Sequence, residues 1–205
     1  MGKNARLLNV IILAVFVWGG LVYGEEIKIP NVGIIQYVEH QALDDAREGF
    51  LAALEENGYV GGQNIEIDYQ NAQGDAANLS TISDRFVGKK VDLILAIATP
   101  AAQNVAGKTS IIPILGTAIT DYVVARLADS NEVPGGNISG TSDMNPIKEQ
   151  IELLTTLVPE AKSIGLLYTS SEDNSVLQAQ LAKEIVEELG LKYVEVTISN
   201  SNEVQ

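Results

Sequence analysis

The sequence predicts an α/β fold built on parallel strands, and three features carry that expectation. Strand-like and helix-like runs alternate along the chain. The connections between them are short, so each strand is followed by a helix able to serve as a crossover. One run, LILAIA from Leu93 to Ala98, is apolar without alternation, as a strand covered on both faces must be.

The elements follow in order. A first strand is expected over Ile27 to Tyr37, then a helix in LDDAREGFLAALEENG, where Leu43, Ala46, Phe50, Leu51 and Leu54 recur at helical spacing and Asn57-Gly58 supplies a stop. NIEIDYQ from Asn64 alternates apolar and polar residues, as an outer strand does. A helix from about Asp75 to Val87 carries Leu79, Ile82 and Phe86 on one stripe. The buried run at Leu93 comes next, followed by a helix of small residues from Pro100 and a strand IIPILGTA. That strand is read as ending in the compact residues Leu115-Gly116-Thr117, with an irregular or helical piece through TDYVVARLADS beyond it. EVPGGNISGTSDMNP has the turn chemistry of a boundary, with NISG as one short strand. Past it, Asn145 is placed to cap a helix that opens on Pro146 and buries Ile147, Ile151, Leu154 and Val158. A strand SIGLLYT, a helix NSVLQAQLAKEIVEELG and a strand LKYVEVTIS complete the reading.

The division expected is therefore 1–24, 25–140 and 141–205. Residues 1–24 read as a secretory signal peptide: Lys3 and Arg6 precede an apolar run, and Val22-Tyr23-Gly24 forms a cleavage site before Glu25. An uncleaved anchor is the alternative, because the run from Leu7 to Gly24 approaches spanning length. Either reading places the remainder outside the cytoplasm. The block 141–205 contains two clear strands, too few to cover its own apolar surface, and the expectation is that further sequence completes it.

Composition narrows the function. At 205 residues and 46% hydrophobic content the chain has the material for a core. With 27 acidic against 13 basic residues, a net charge of -14, it repels nucleic acid and anionic membrane surfaces. Loss of Lys3 and Arg6 on cleavage would leave 11 basic residues and -16. There is no cysteine, hence no disulfide and no thiol at the cleavage site to carry a lipid. One histidine and no cysteine provide no nucleophile and base set, and no donors stand at metal-ligand spacing; no catalytic residue, metal or cofactor is expected. AQNVAGKT resembles a phosphate loop only superficially, since its Lys and Thr follow a helix instead of opening one.

What remains is a set of strand ends. Ligands of parallel sheets sit beyond the carboxyl ends of the strands, where helix N-termini offer unpaired N–H groups. Four such ends carry small or polar residues: Gln36 to His40, Thr99 to Ala102, Gly116 to Tyr122 and Tyr168 to Ser175. The bare start at Thr99-Pro100-Ala101 suits a carboxylate held by backbone N–H and a hydroxyl without arginine. Asp121 and Asp143 are the nearest acids for a ligand ammonium. Tyr37, Tyr122 and Tyr168 are candidates to flank an aromatic group, or plain core residues.

VGIIQYVEH, NGYVGGQNIEIDYQNAQGD, DLILAIATPAAQ, GTAITDY, GGNISGTSDMNPIKEQIELL and LVPEAKSIGLLY together resemble the substrate-binding proteins of ABC transporters, in the tryptophan/tyrosine-type branch. The resemblance implies a type I periplasmic-binding-protein fold, two Rossmann-like lobes with the ligand closed between them, the second lobe incomplete here. By that resemblance, Thr99, Pro100, Ala101, Thr117 and Ala118 would grip a carboxylate from the first lobe, and Asp143 would face the ammonium. The segment SSEDNS, Ser170 to Ser175, would close from the second, with Ser170, Ser171 and Asn174 as its candidate contacts. Tyr37, His40, Asp121 and Tyr168 complete the candidate set. The function implied is capture of a small carboxylate-bearing solute, an amino acid and in particular an aromatic one, for delivery to membrane permease subunits, with no covalent chemistry. A sensory ligand-binding module of a receptor, which would require the N-terminal run to stay as an anchor, is the alternative; an α/β enzyme is a third.

Overall fold

A computed structural model describes residues 28–199 and 203–204. The expected signal peptide lies outside the described residues. Among those described, no helix is long and apolar enough to cross a membrane.

Among the described residues, seven strands and five helices alternate except where β5 follows β4 directly: β1 (Asn31–Gln36), α1 (Gln41–Glu56), β2 (Glu66–Asn71), α2 (Ala76–Lys89), β3 (Leu93–Ile97), α3 (Thr99–Ala106), β4 (Ile114–Ile119), β5 (Ile138–Ser142), α4 (Ile147–Leu157), β6 (Ser163–Thr169), α5 (Asp173–Glu188) and β7 (Lys192–Ile198). They form a five-stranded sheet in the order β2-β1-β3-β4-β5 and a two-stranded sheet β6-β7, every pairing parallel. The α/β expectation holds.

Alternation along the strands sorts the core of the first sheet into two layers. Val32, Ile34, Leu95 and Ile97 face α1, whose Leu43, Phe50, Leu51 and Leu54 pack on them. Ile35, Ile94, Ala96 and Ile114 face the other way, against Leu79, Ile82 and Phe86 of α2 and Ala101, Ala102 and Val105 of α3. Gly33 is required there, because a Cβ would stand 2.7 Å from the Phe86 ring. β2 is the half-exposed outer strand its alternation predicts.

Several local readings are corrected. The first strand begins at Asn31, and β4 continues past Gly116 to Ile119, with the register to β5 shifting between those two residues. Gly116 is therefore inside β4, where the buried Tyr122 hydroxyl lies 2.9 Å from its carbonyl oxygen and 3.2 Å from that of Thr141. Tyr122 is a core residue that ties β4 to β5, and burial, with the charge of Asp143, pushes its hydroxyl pKa up to about 12. The fifth strand, expected over NISG, runs from Ile138 to Ser142. Helix α4 begins at Ile147 with Pro146 in the cap position and no side-chain cap. Asn145 makes no side-chain cap, and its amide donates to Gln178 Oε1 on α5 at 2.9 Å.

The second sheet is thinner. One of its faces packs Ile164, Leu166 and Tyr193 with Ile151, Ala182 and Val186 of α4 and α5, while Leu167, Val194 and Val196 on the other stand exposed.

Candidate functional site

The strand order places a change of winding direction between β1 and β3: β2 lies outward of β1, and the chain then returns to its other side. Loops at the carboxyl ends of two such strands diverge to opposite faces, leaving a crevice. Tyr37 and Ala98-Thr99 stand at that point, linked by the Tyr37 N–H to the Ile97 carbonyl at 3.2 Å.

The start of α3 is built in an unusual way. Ala98, the residue before it, has φ 81 and ψ 152, a region rarely occupied outside glycine, and gives no side-chain cap. Its N–H is held by the Thr117 carbonyl at 3.0 Å, which ties the bend to β4. Pro100 has no N–H to lose, and Ala102 N–H returns to the Ala98 carbonyl, so the N–H groups of Thr99 and Ala101 are the orphans of this terminus. Thr99 is 2% exposed, and its Oγ1 has no hydrogen-bond partner among the described residues. Next along the rim, Ala118 has φ 55, and Thr117 Oγ1 accepts from Thr141 Oγ1 at 3.3 Å. The same rim thus holds two non-glycine residues at positive φ on adjacent strands. Strain of this kind persists only where the surroundings enforce it.

From the second sheet, the loop after β6 comes to this rim through α5. Gln103, one turn beyond Thr99 on the same face of α3, donates from Nε2 to Asp173 Oδ2 at 2.9 Å and to the Ala125 carbonyl at 3.1 Å. Glu172 is half-buried. Burial pushes its carboxyl pKa up, a hydrogen bond with Asn174 pulling the other way. Burial also raises the Tyr37 hydroxyl, with the charges of Glu172 and Asp75 adding to it. Asn174 Oδ1 is buried without a partner.

The expected residues divide accordingly. Tyr37, Thr99, Pro100, Ala101, Thr117 and Ala118 line the carboxyl ends of β1, β3 and β4, and Asn174 stands in the first turn of α5. Ser170 and Ser171 lie in the loop after β6, their hydroxyls donating to the carbonyls of Ile198 and Ser199. Asp143 is exposed just beyond β5, its N–H on the Ile119 carbonyl at 3.0 Å.

The remaining three are otherwise committed. His40 caps α1, Nδ1 accepting from Ala42 N–H at 3.2 Å. Asp121 closes the turn after β4: it accepts from Val124 and Val123 N–H at 2.8 and 2.9 Å and from the Asn131 amide at 3.1 Å, and these bonds, Val124's first, hold its carboxyl below the usual range. The Tyr168 hydroxyl donates to Glu195 Oε1, a bond that raises its pKa to about 12, and the ring lines a separate cavity of about 260 Å³ between β6, α4 and α5. Gln103 was not among the candidates, and Glu172 and Asp173 were covered only by the segment Tyr168 to Ser175, without being named. Glu172 and Asp173 sit inside SSEDNS, but one acid in an acidic chain gives no signal by itself.

At the end of β1, the fully buried Gln36 holds the rim from below. Its Nε2 donates to Val38 O and Asp44 Oδ1, and its Oε1 accepts from Arg47 and Tyr69. Arg47, one of three arginines after residue 25, is used there, 4.4 Å over the Tyr69 ring. Among the described residues no cluster of three or more His, Cys, Asp or Glu side chains could hold a metal.

Parallel winding, a crevice at the change of direction and a second parallel unit define a two-unit α/β protein class, in which the strand ends are the place for a ligand. Residues 31–205 match the family described as ABC transporter substrate binding protein, and the chain belongs to it. It is 49% identical over 177 residues to a curated tyrosine-binding protein of Clostridioides difficile strain R20291, covering 86% of this chain and 51% of the relative. A Streptococcus pneumoniae ABC domain solved in complex with L-Trp is 40% identical with a TM-score of 0.83. A ligand-free, open substrate-binding protein with adhesive properties from Clostridium difficile is 48% identical with a TM-score of 0.66. Each of these structures is matched over 86% of this chain and 60% of its own length. The leucine-binding protein LivK of Thermotoga maritima, 17% identical over 84% of this chain and 50% of its own, shares the type I fold at a TM-score of 0.65. The chain thus spans about half the length of the curated relative and 60% of the first solved ones.

Proposed function

We propose that this chain supplies one lobe and part of a second in an extracytoplasmic solute-binding protein that captures an amino acid with an aromatic side chain and presents it to ABC permease subunits. The observation that carries the reading is the bare start of α3, with the orphaned Thr99 and Ala101 N–H groups and the unpartnered Thr99 hydroxyl at the crevice. Such a terminus binds a carboxylate through oriented dipoles, so no arginine is needed. Tyr37 stands beside it to meet the side chain of the solute. The names of the relatives, tyrosine-binding and L-Trp-bound, supply the ligand class.

Closure is the mechanism. The chain superposes better on the L-Trp complex, at 0.83, than on the open ligand-free protein, at 0.66, although the latter is the more similar in sequence. The arrangement is accordingly read as closed, with the Gln103–Asp173 bond as a contact of that state. A ligand touching both lobes stabilises the closed form by its differential contacts there, and the permease reads the shape. The residues between β5 and α4, 143–146, form one of the connections about which such a movement turns.

Titration calorimetry on the full-length protein tests this. L-tyrosine or L-tryptophan is expected to bind with Kd in the micromolar range or tighter. Absence of heat with every amino acid tried would overturn the reading.

A further inference from the structure

We infer that Glu172 is the residue that receives the ammonium group of the solute, in place of the aspartates at the ends of β4 and β5. The inference rests on the amino-acid reading of the site and assigns its second charge.

An α-amino acid carries its two charges on neighbouring atoms, so a carboxylate seated on the first turn of α3 puts the ammonium within a few ångströms of the same rim. Of the acids near that rim, Asp121 has both carboxylate oxygens occupied by turn N–H groups and an amide. Asp143 is exposed to water, where a charge pair contributes little. Asp173 is already engaged by Gln103. Asp75, whose charge also reaches Tyr37, caps α2 by accepting from Asn78 N–H at 2.8 Å. Glu172 is the remaining acid, half-buried at the start of α5. None of the ion pairs among the described residues involves it.

Its placement follows from the neighbouring contacts. The 2.9 Å bond from Gln103 to Asp173 brings the first turn of α5 against the face of α3 that also carries Thr99. The charge of Glu172 is felt at Tyr37 on the opposite side of the crevice. Two buried oxygens of the site elements have no partner among the described residues, Thr99 Oγ1 at the start of α3 and Asn174 Oδ1 two residues after Glu172. A half-buried carboxylate with no cation is unfavourable unless something compensates it. The raised pKa of Glu172 shows that cost, and an arriving ammonium would remove it.

Calorimetry with L-tyrosine and with 3-(4-hydroxyphenyl)propionate, the same molecule without its amine, tests the assignment on full-length wild type, Glu172→Gln and Asp143→Asn. Wild type is expected to prefer the amine-bearing probe by ~10–100-fold, the worth of a hydrogen bond to a charged group. Glu172→Gln should lose that preference by weakening only L-tyrosine, and Asp143→Asn should keep it. Thermal melting is expected to leave the Tm of Glu172→Gln at or above that of wild type, since no native ion pair is broken. Three outcomes overturn the inference: unchanged preference in Glu172→Gln, equal weakening of both probes, or loss of preference in Asp143→Asn. A wild type that binds the deaminated probe as well as L-tyrosine overturns it while leaving carboxylate capture standing. A wild type that binds neither overturns the amino-acid reading as well.

Discussion

Replacing Thr99 by valine should move stability and ligand affinity in opposite directions. The residue is 2% exposed and its hydroxyl has no partner, so in the free protein it carries a desolvation cost of about 1–3 kcal/mol with no return. Valine keeps the β-branched shape and has nearly the same helix propensity, so the substitution removes the cost without opening a cavity. Stability is expected to rise by about 1 kcal/mol, which at a urea m-value of about 2 kcal/mol/M shifts the midpoint up by about 0.5 M. In the complex, the same hydroxyl donates to a carboxylate, a charge-assisted bond of about 1.5–3 kcal/mol. Its loss should weaken L-tyrosine by roughly 10–100-fold. Urea unfolding followed by circular dichroism and calorimetry on the same preparations read the two quantities. A Thr99→Val protein that is less stable by about 1 kcal/mol, or that binds with unchanged Kd, would refute the reasoning: the hydroxyl would then have a structural partner, or the solute would be seated elsewhere.

Three further outcomes are expected. In a double-mutant cycle of Gln103→Ala and Asp173→Ala, ligand binding should show a coupling of about 1–2 kcal/mol, the Ala125 contact cancelling between the arms; coupling below about 0.3 kcal/mol means the bond does not belong to the bound state. Tyr122→Phe should cost about 1 kcal/mol of stability at neutral pH. Because the native hydroxyl pKa is raised to about 12, its contribution is present below pH 10 and lost as pH rises toward 12, so the variant's stability should fall less steeply over that window in alkaline urea titrations. Asp68 behaves in the opposite sense. Burial opposes its ionisation, but hydrogen bonds from Lys89, Arg85 and Gln70 together outweigh it and hold the carboxyl at about 2. Its contribution, up to about 2 kcal/mol before screening by the half-exposed cations, is present above pH 4 and lost as pH falls toward 2. Asp68→Asn should flatten that part of the acid unfolding curve, an effect that added salt reduces.

The element order was legible because periodicity and punctuation agree at almost every junction. The unbroken apolar run at Leu93 and the stripe of Leu79, Ile82 and Phe86 translate directly into β3 and the buried face of α2. The bare helix start after Ala98 was also legible, since small residues following a buried strand are visible in one dimension. What the sequence hid is long-range partnership. Nothing near Tyr122 signals that its hydroxyl reaches Gly116 and Thr141, and nothing near Asn145 signals that its amide reaches Gln178 on another helix. Asp121 and His40 are polar residues at strand ends by sequence and local caps by geometry; the two roles share residue types. Glu172 has the reverse history, since its environment, not its identity, distinguishes it from the other acids.

The all-parallel pairing has a kinetic consequence. The partners nearest in sequence in the larger sheet are those of β3 and β4, from Ile94 with Ile114 to Ile97 with Thr117, with a whole helix between them, so no hairpin is available to start assembly from a tight turn. Every ladder must wait for a crossover segment to fold back, and refolding from denaturant should take milliseconds to seconds instead of microseconds. Throughout that interval Leu95, Ile97 and their neighbours remain wetted, and the nascent chain is at its most vulnerable to proteases and to self-association.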